Sequence, residues 1–184
     1  MELDQAIQSR RSVKKFSSKK PDWRDILEAI NSARYAPMAG NNYTLKFIFV
    51  DKSKIIKKIA EYCQQDWISQ VQYIVVACSI PSITINKFGE RGKNYFRQQA
   101  GAAIENFLLK IEELGLATTW VGHFVDEEIK KELSIPKDAE IEAVFPIGYE
   151  FKKSSPKTKI ELDRILYFNK WGEKRMKPLE KQEV

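Results

Sequence analysis

The sequence has few of the side chains that carry catalysis or hold metals in many enzymes. Its 184 residues include one histidine, His123, and two cysteines, Cys63 and Cys78. A single histidine excludes an HExxH zinc site and leaves a Ser-His-Asp triad with one candidate base, for which we expect a structural or surface role instead. No Cys/His cluster has metal-ligand spacing, and GxSxG, P-loop and GxGxxG motifs are absent. If the chain is an enzyme, we expect its reactive group to be a bound cofactor, with no metal and no catalytic side chain of its own.

Long apolar runs are also missing. No run reaches the roughly 18 residues that a membrane span needs, and Met1 to Asp4 lack the basic-then-apolar order of a signal peptide. Two cysteines so far apart in sequence more often indicate reduced thiols than a disulfide framework. With only 8 glycines and 7 prolines, the composition argues against disorder or collagen-like repetition. We therefore expect a cytoplasmic protein with one domain over residues 1–184 and no membrane partner.

The charge excess is modest. The sequence has 31 lysines and arginines against 25 aspartates and glutamates, for a net charge of +6, which weakly favours an anionic ligand. The densest basic stretch, Arg10 to Lys15, is followed by Lys19 and Lys20. On charge alone, this stretch could bind a phosphate group or a nucleic-acid backbone equally well.

Apolar periodicity predicts alternating helices and strands, and hence a domain in which helices pack on a sheet. Asp22 and Asp126 are placed to cap helices, and Gly115 to end one. The polar stretch from Ser82 to Lys93, which contains two glycines, predicts a loop or mobile segment over a ligand. The predicted helices cover 2–9, 23–36, 51–62, 95–114 and 126–133, and the predicted strands cover 45–50, 73–78, 117–121 and 141–147.

Two helices and the C-terminal tail have marked apolar character. The fourth helix has a broad apolar stripe from Ala100 to Leu114. The tail from Leu162 to Met176 is apolar enough to need cover, either from its own domain or from a partner subunit. The predicted apolar face of the second helix comprises Trp23, Ile26, Leu27, Ile30 and Ala33.

The segment Arg10-Arg11-Ser12-Val13-Lys14 resembles the Arg-Arg-Ser-x-Arg/Lys signature that opens proteins of the nitroreductase family. The resemblance implies a site for FMN, whose phosphate would be bound by Arg10, Arg11 and Ser12. A phosphate monoester suits a guanidinium fork, a hydroxyl donor and backbone amides. Lys14 would reach the pyrimidine edge of the flavin, near which negative charge gathers on reduction.

The segment from Ala36 to Thr44 is similar to a second family element, Ala-Pro-Ser-x-x-Asn-x-Gln-Pro. In the family this loop touches the FMN of the opposite subunit, which implies contacts from Pro37, Met38, Ala39 and Asn41. The sequence departs from the pattern at three positions: Met38 stands where Ser is usual, Tyr43 where Gln is usual and Thr44 where Pro is usual.

The remaining family elements follow in order along the chain. Gln65 lies in a segment similar to one whose amide faces the flavin pyrimidine in relatives. The stretches 88–92 and 98–106 resemble the loop and central dimer helix of the family, with Gln99 replacing a common Asp. The stretch 115–122 resembles Gly-Leu-Gly-Thr-Cys-Trp-x-Gly. The expected late contacts to FMN are Pro146, Ile147 and Gly148 at a strand end, before Glu150 where relatives often have Pro, and the lysines Lys157 and Lys159, of which Lys159 is the preferred phosphate contact.

The resemblance covers roughly residues 4 to 172 and implies an α+β fold: an α/β/α sandwich with a mostly antiparallel central sheet, assembled as an intertwined homodimer. Residues 160–184 would be a C-terminal extension packing on the partner subunit. The implied function is FMN-dependent transfer of electrons from NAD(P)H to a small organic acceptor, such as a nitroaromatic or quinone, by a ping-pong mechanism and without nucleic acid as a partner. Two alternatives stay open: the same fold and cofactor with reductive dehalogenation or flavin degradation as the reaction, and a basic nucleic-acid-binding domain that uses residues 10–20 as an arm.

Overall fold

The computed structural model describes residues 1–152 and 158–174. By its internal contacts the chain divides into two compact units, residues 1–154 and 155–184. In the described part of the second unit, a short 3₁₀ turn covers Leu162–Arg164, and the rings of Tyr167 and Trp171 lie 5.0 Å apart. No helix in the described ranges is both long enough and apolar enough to cross a membrane.

The first unit is built on a four-stranded antiparallel sheet. Its strands are β1 (Leu45–Val50), β2 (Tyr73–Ser79), β3 (Ala117–Thr118) and β4 (Glu140–Gly148), in the spatial order β1-β2-β4-β3. Every residue of β2 is buried because β2 is an inner strand with both faces covered. A continuous apolar run, without polar alternation, is typical of such a strand.

Six α-helices surround this sheet. Shorter 3₁₀ turns occupy Ala33–Tyr35, Ala39–Asn41, Asp66–Gln70 and Gly89–Arg91. The helices are α1 (Leu3–Ser9), α2 (Trp23–Ser32), α3 (Ser53–Tyr62), α4 (Ser82–Phe88), α5 (Gly92–Glu113) and α6 (Asp126–Leu133).

The sheet separates two apolar cores. On one face, Val75 and Ala77 of β2 pack with residues of α2 and α5, and on the other, Ile74 and Val76 pack with residues of α3 and α6. Successive side chains of a strand point to opposite faces, so one strand contributes to both cores. This architecture is the predicted α/β/α sandwich with an antiparallel sheet. The dimer stays a prediction.

The predicted loop between Ser82 and Lys93 is wrong: this stretch forms α4, a 3₁₀ turn and the start of α5. Of the two glycines in this stretch, Gly92 allows close packing of two helices. A Cβ atom on Gly92 would lie 2.4 Å from the carbonyl oxygen of Thr84, so only glycine lets α4 and α5 approach this closely. The buried Thr84 hydroxyl donates to the carbonyl oxygen of Gly92 at 3.0 Å and strengthens the same junction.

The helix ends agree with the sequence in part. The Asp22 carboxylate accepts a hydrogen bond from the backbone N–H of Arg24 at 2.9 Å, which confirms the cap of α2. Gly115, with φ of 72°, ends α5 as predicted. Asp126 does not cap α6: Val125 is the N-cap, and Asp126 is the first of three acidic residues in the first turn, where they stabilise the helix through its dipole.

Two further expectations need correction. The predicted strand 117–121 is shorter, because after Thr118 only Val121 pairs with the sheet, through an isolated bridge to Val144. Ile26 on α2 and Ala33 in the 3₁₀ turn that follows it are fully buried as predicted, but Trp23 is 50% exposed and Leu27 42% exposed. The apolar face of α2 is therefore broader than the surface that the sheet and α5 cover.

Candidate functional site

The basic segment, residues 10–17, runs along the sheet and forms isolated bridges from Ser12 to Thr118 and from Phe16 to Glu150. Its backbone is held by hydrogen bonds from Val13 N–H to the Thr118 carbonyl at 3.0 Å and from Ser17 N–H to the Tyr149 carbonyl at 2.8 Å. The side chains of Val13 and Phe16 enter the core on the side of α3 and α6. Because these apolar residues anchor the segment, Ser12 and Lys14 between them remain exposed.

The two arginines of this segment have different partners. Arg10 Nε lies 3.1 Å from Glu105 Oε1 of α5, and both side chains are partly exposed. Arg11 is more deeply buried, at 17% exposure, and its guanidinium forms a two-point ion pair with Glu150, including 3.3 Å from Nε to Oε1. Glu150, which stands where relatives often have Pro, thus supplies the carboxylate that pairs with Arg11.

Arg10, Arg11 and Ser12 line one small cavity of about 100 Å³ beside α5. Trp120 forms part of its wall and packs edge-on against Phe145, with ring centroids 5.7 Å apart. The predicted phosphate-binding residues of this segment are therefore adjacent in space as well as in sequence. The other lining residues are Glu105, Leu108, Glu112 and Thr118.

Lys14 and Gln65, two predicted residues far apart in sequence, converge on the ring of Trp67. The Lys14 ammonium lies 5.9 Å from the ring centroid, and the indole N–H donates to Gln65 Oε1 at 3.2 Å. Phe16 stacks on the same ring at 6.2 Å. Since an indole N–H can only donate, this bond fixes the Gln65 carbonyl towards Trp67 and orients the NH₂ group away from it. The sequence interpretation missed the role of Trp67.

The loop 37–42 forms a second lining surface, away from the basic segment. Pro37, Met38 and Ala39 line a groove of about 320 Å³ together with residues of α5. Gly40 and Asn41 follow with φ of 55° and 57°, and Asn41 is exposed at the tip. The α5 residues of the groove are Tyr95, Gln98, Gln99 and Ala102.

Gln99 is a further residue of this region that the sequence interpretation did not assign to the site. Its side chain is 4% exposed and makes three hydrogen bonds to the stretch from Ala39 to Thr44. A signal for it exists in the sequence, since a glutamine lies on the buried stripe of α5 beside Ala100 and four residues before Ala103. A buried amide at such a position must find partners.

Tyr43, another departure from the family pattern, packs against the core on the side of α2 and α5. Burial raises the pKa of its phenol. Its ring is therefore a packing group of the first unit.

The end of β4 contributes backbone more than side chains. The Ile147 side chain is fully buried in the core, and the Pro146 carbonyl accepts a hydrogen bond from the Thr118 hydroxyl at 2.8 Å. Gly148 packs against Phe16 so closely that a Cβ atom would lie 2.9 Å from the ring. The glycine is thus required for contact between β4 and the basic segment.

The last two predicted residues lie elsewhere. Lys159 is exposed and belongs to the second unit, and Lys157 falls outside the described residues.

The two cysteines do not belong to this region as reactive groups. Burial raises the pKa of the Cys63 thiol to about 12 and that of the Cys78 thiol to about 11, where Glu142 adds to the effect. Both thiols are therefore protonated at neutral pH and unreactive. Across residues 1–152 and 158–174, no group of three or more His, Cys, Asp or Glu side chains is arranged to hold a metal ion.

Comparison with known proteins identifies the class to which this fold and surface belong. The model of the nitroreductase family matches residues 7–149, most of the chain. The chain therefore belongs to the nitroreductase family and is an oxidoreductase of that family.

Individual relatives agree with this assignment. A protein of Archaeoglobus fulgidus assigned as an NADH dehydrogenase/NAD(P)H nitroreductase is 28% identical over 148 residues, covering 78% of this chain and 82% of its own. The crystal structure of a nitroreductase family protein from Clostridium novyi NT has a TM-score of 0.74 at 28% identity, covering 94% of this chain and 96% of the other. Iodotyrosine deiodinase bound to FMN and 3-iodo-L-tyrosine shares the fold, with a TM-score of 0.73 at 20% identity over 86% of this chain and 96% of the other.

Proposed function

We propose that this protein is an FMN-dependent oxidoreductase that transfers electrons from NAD(P)H to a small organic acceptor, such as a nitroaromatic or quinone, by a ping-pong mechanism. The observation that carries the proposal is the layout of the basic segment. Arg10 and Ser12 line one cavity, and Lys14, two residues after Ser12, has its ammonium near the ring of Trp67, whose indole N–H bonds to Gln65. Donors suited to a phosphate and donors suited to a pyrimidine thus lie on or next to one segment, which supports a ligand that carries both groups.

The chemistry of these donors fits FMN. Arg10 offers guanidinium N–H groups and Ser12 a hydroxyl, which suit a phosphate. The Lys14 ammonium can only donate, and the Gln65 NH₂ group is oriented away from Trp67, so both suit the carbonyl oxygens of a pyrimidine edge. We assign Arg10 and Ser12 to the phosphate and Lys14 and Gln65 to the pyrimidine.

The other predicted contacts need a second subunit. Within one chain, Pro37, Met38 and Ala39 line a groove at Gln98 to Ala102 of α5, whereas Arg10 lies against Glu105, further along that helix. A homodimer would let the loop 37–42 of one subunit, with Asn41 at its tip, complete the site of the other. Exposed apolar residues of the first unit, among them Leu3 at 65%, Tyr35 at 78% and Trp23 at 50%, support such an interface. The predicted packing of the extension 160–184 on the same partner stays part of the proposal, and residues 175–184 of it lie outside the described residues.

The protein's own contribution to the reaction is binding and electrostatics. When bound, FMN supplies the chemistry by accepting a hydride from the nicotinamide and passing electrons to the acceptor. Arg10 would exchange its contact with Glu105 for the phosphate, Lys14 and Gln65 would stabilise negative charge on the pyrimidine, and Pro146, Ile147 and Gly148 would line the ring. No side chain is needed as a nucleophile.

The first test is whether the purified protein is yellow and dimeric and binds added FMN. Arg10→Ala should weaken FMN binding about 10- to 100-fold, since a hydrogen bond to a charged group contributes about 1.5 to 3 kcal/mol. Lys19→Ala is the matched control, because it removes the same charge from a lysine whose ammonium lies 4.3 Å from the Tyr149 ring centroid. Equal FMN retention by the two variants, or a colourless monomer that refuses FMN, would contradict the proposal.

The alternative proposal keeps the same site and cofactor but has reductive dehalogenation or flavin degradation as the reaction. The shared fold with iodotyrosine deiodinase favours keeping dehalogenation as an alternative. Steady-state turnover separates the two reactions: oxidation of NAD(P)H with a quinone or nitroaromatic supports the first. An FMN-loaded protein that is inert with both acceptors supports the alternative.

The nucleic-acid alternative has less support than the basic sequence suggested. Arg10 and Arg11 are paired with Glu105 and Glu150, and the Lys14 ammonium lies against Trp67. Of these contacts, the largely buried pair with Glu150 leaves Arg11 the least available to bind a phosphate backbone. Salt-dependent binding of the purified protein to DNA or RNA would reverse this conclusion.

A further inference from the structure

The side chain of Gln99 holds the loop 37–42 in place from inside the protein. Its Oε1 accepts a hydrogen bond from the backbone N–H of Ala39 at 3.1 Å. Its Nε2 donates to the carbonyl oxygen of Asn42 at 3.0 Å and to the hydroxyl of Thr44 at 2.6 Å. Gln99 is 4% exposed; its bond to Thr44 is buried, and its bonds to Ala39 and Asn42 are partly buried.

Only an amide can make this set of bonds. It offers an acceptor oxygen and two donor hydrogens from one planar group, whereas a carboxylate only accepts and a thioether does neither effectively. Thr44 matches it, because its hydroxyl is fully buried and accepts from the amide. Both residues are departures from the family pattern, in which Asp and Pro are common at these positions.

Gln99 bonds to a turn whose backbone has positive φ. The two residues concerned are Gly40 and Asn41, and glycine and asparagine adopt this conformation more readily than other residues. The Asn42 side chain donates to the carbonyl oxygens of Ala39 and Gly40 at 2.8 Å, which stabilises the turn locally. Thr44 is tied to the sheet, since its carbonyl accepts from the Ile80 N–H at 3.0 Å. Gln99 adds fixed points at Ala39 and Asn42, on either side of Gly40 and Asn41.

We infer that Gln99, together with Thr44, is a positioning residue that sets how far the loop 37–42 projects, and hence how Met38 and Asn41 meet the flavin of the partner subunit. The inference rests on the proposed function. Gln99 acts through the Ala39 N–H and the Asn42 carbonyl, to which its side chain is bonded. The loop would otherwise relax towards α5 or away from it, because its own turn contacts do not fix it to the helix.

The experiment compares Gln99→Met, which keeps the size of the side chain and removes all three bonds, with Thr44→Val, which removes one. Gln8→Met is the control, a matched change at an exposed position of α1. Hydrogen exchange of the loop amides in FMN-free protein should accelerate about tenfold or more in Gln99→Met, with β2 amides unchanged. The FMN dissociation constant should rise about tenfold in Gln99→Met and about threefold in Thr44→Val, with less than about twofold change in the control.

The two readouts separate this inference from the proposed function. If the unmodified protein binds no FMN, the proposed function fails, and the exchange of the Ala39 amide still decides whether Gln99 holds the loop. Unchanged loop exchange in Gln99→Met would overturn the inference, as would accelerated exchange with unchanged FMN affinity. If Gln99→Met does not fold, the same criteria apply to Thr44→Val with the smaller expected changes.

Discussion

The ion pair between Arg10 and Glu105 leads to a prediction about affinity that runs against intuition: removing an interaction should tighten ligand binding. Arg10 Nε lies 3.1 Å from Glu105 Oε1, with the side chains 31% and 45% exposed. Pairs with this degree of exposure contribute about 0.2 to 1 kcal/mol. A phosphate that recruits Arg10 must overcome this contact, and it must also bind close to the negative charge of Glu105. Glu105→Gln keeps the shape of the side chain and removes both costs, so FMN should bind about 1.5- to 5-fold more tightly.

The assay is titration of FMN and of riboflavin into FMN-free protein, followed by quenching of flavin fluorescence. Riboflavin lacks the phosphate, so its affinity should be the same in Glu105→Gln and in the unmodified protein. The gain for FMN should shrink at high ionic strength, because the charges involved are partly exposed. In the Arg10→Ala background, the part of the gain that comes from freeing Arg10 should vanish. Weaker FMN binding by Glu105→Gln, or an equal gain for riboflavin, would refute the reasoning.

Three further predictions concern the surroundings of the site. Trp67→Phe should make the reduction potential of bound FMN more negative, because the Gln65 amide loses its bond to the indole and is free to rotate. The fold should stay intact, because phenylalanine keeps the stack on Phe16. An unchanged potential in redox-dye titration would contradict this prediction. Gly92→Ala should lower the free energy of unfolding by about 1 to 3 kcal/mol in urea titration, because the new Cβ meets the Thr84 backbone, and an unchanged midpoint would remove the packing argument. Glu142→Gln should stabilise the protein at neutral pH more than at about pH 4. Burial raises the pKa of the Glu142 carboxyl above its value of 4.5 in the unfolded chain, so its stabilising contribution is complete below that value and is lost as pH rises through the folded-state pKa; equal stabilisation at both pH values would show that the carboxyl is not responsible.

Local pattern was enough for the elements whose burial is continuous. The strands β1, β2 and β4 and the long helix α5 lie close to their predicted positions because an apolar run or stripe needs cover wherever it occurs. The loop predicted for residues 82–93 was wrong because the local pattern there is misleading. Its polar residues and glycines resemble a loop, and the close approach of Gly92 to Thr84 that explains the glycine exists only in the folded protein.

The candidate site divides in a similar way. Arg10, Ser12 and Lys14 could be named together because they lie within one short stretch of sequence, and family resemblance supplied Gln65. Contacts across the chain could not be read from the residues. Neither the ion pair between Arg11 and Glu150 nor the bond from Trp67 to Gln65 has a local signature. Gln99 does have a local signature, because it is a polar residue on a buried helix stripe, but the sequence interpretation did not use that signature.

The anchoring of the basic segment also bears on how the protein is made. Among the described contacts of this segment, Val13 bonds to Thr118, Ser17 to Tyr149, and Arg11 to Glu150. These partners are synthesised more than a hundred residues after the segment itself. A nascent chain therefore lacks these anchors of its first cationic stretch until β3 and β4 have followed. Truncation before residue 117 should remove them and leave the stretch its contacts with Trp67 and Glu105, so final positioning of these residues for an anionic ligand belongs to the last stage of folding.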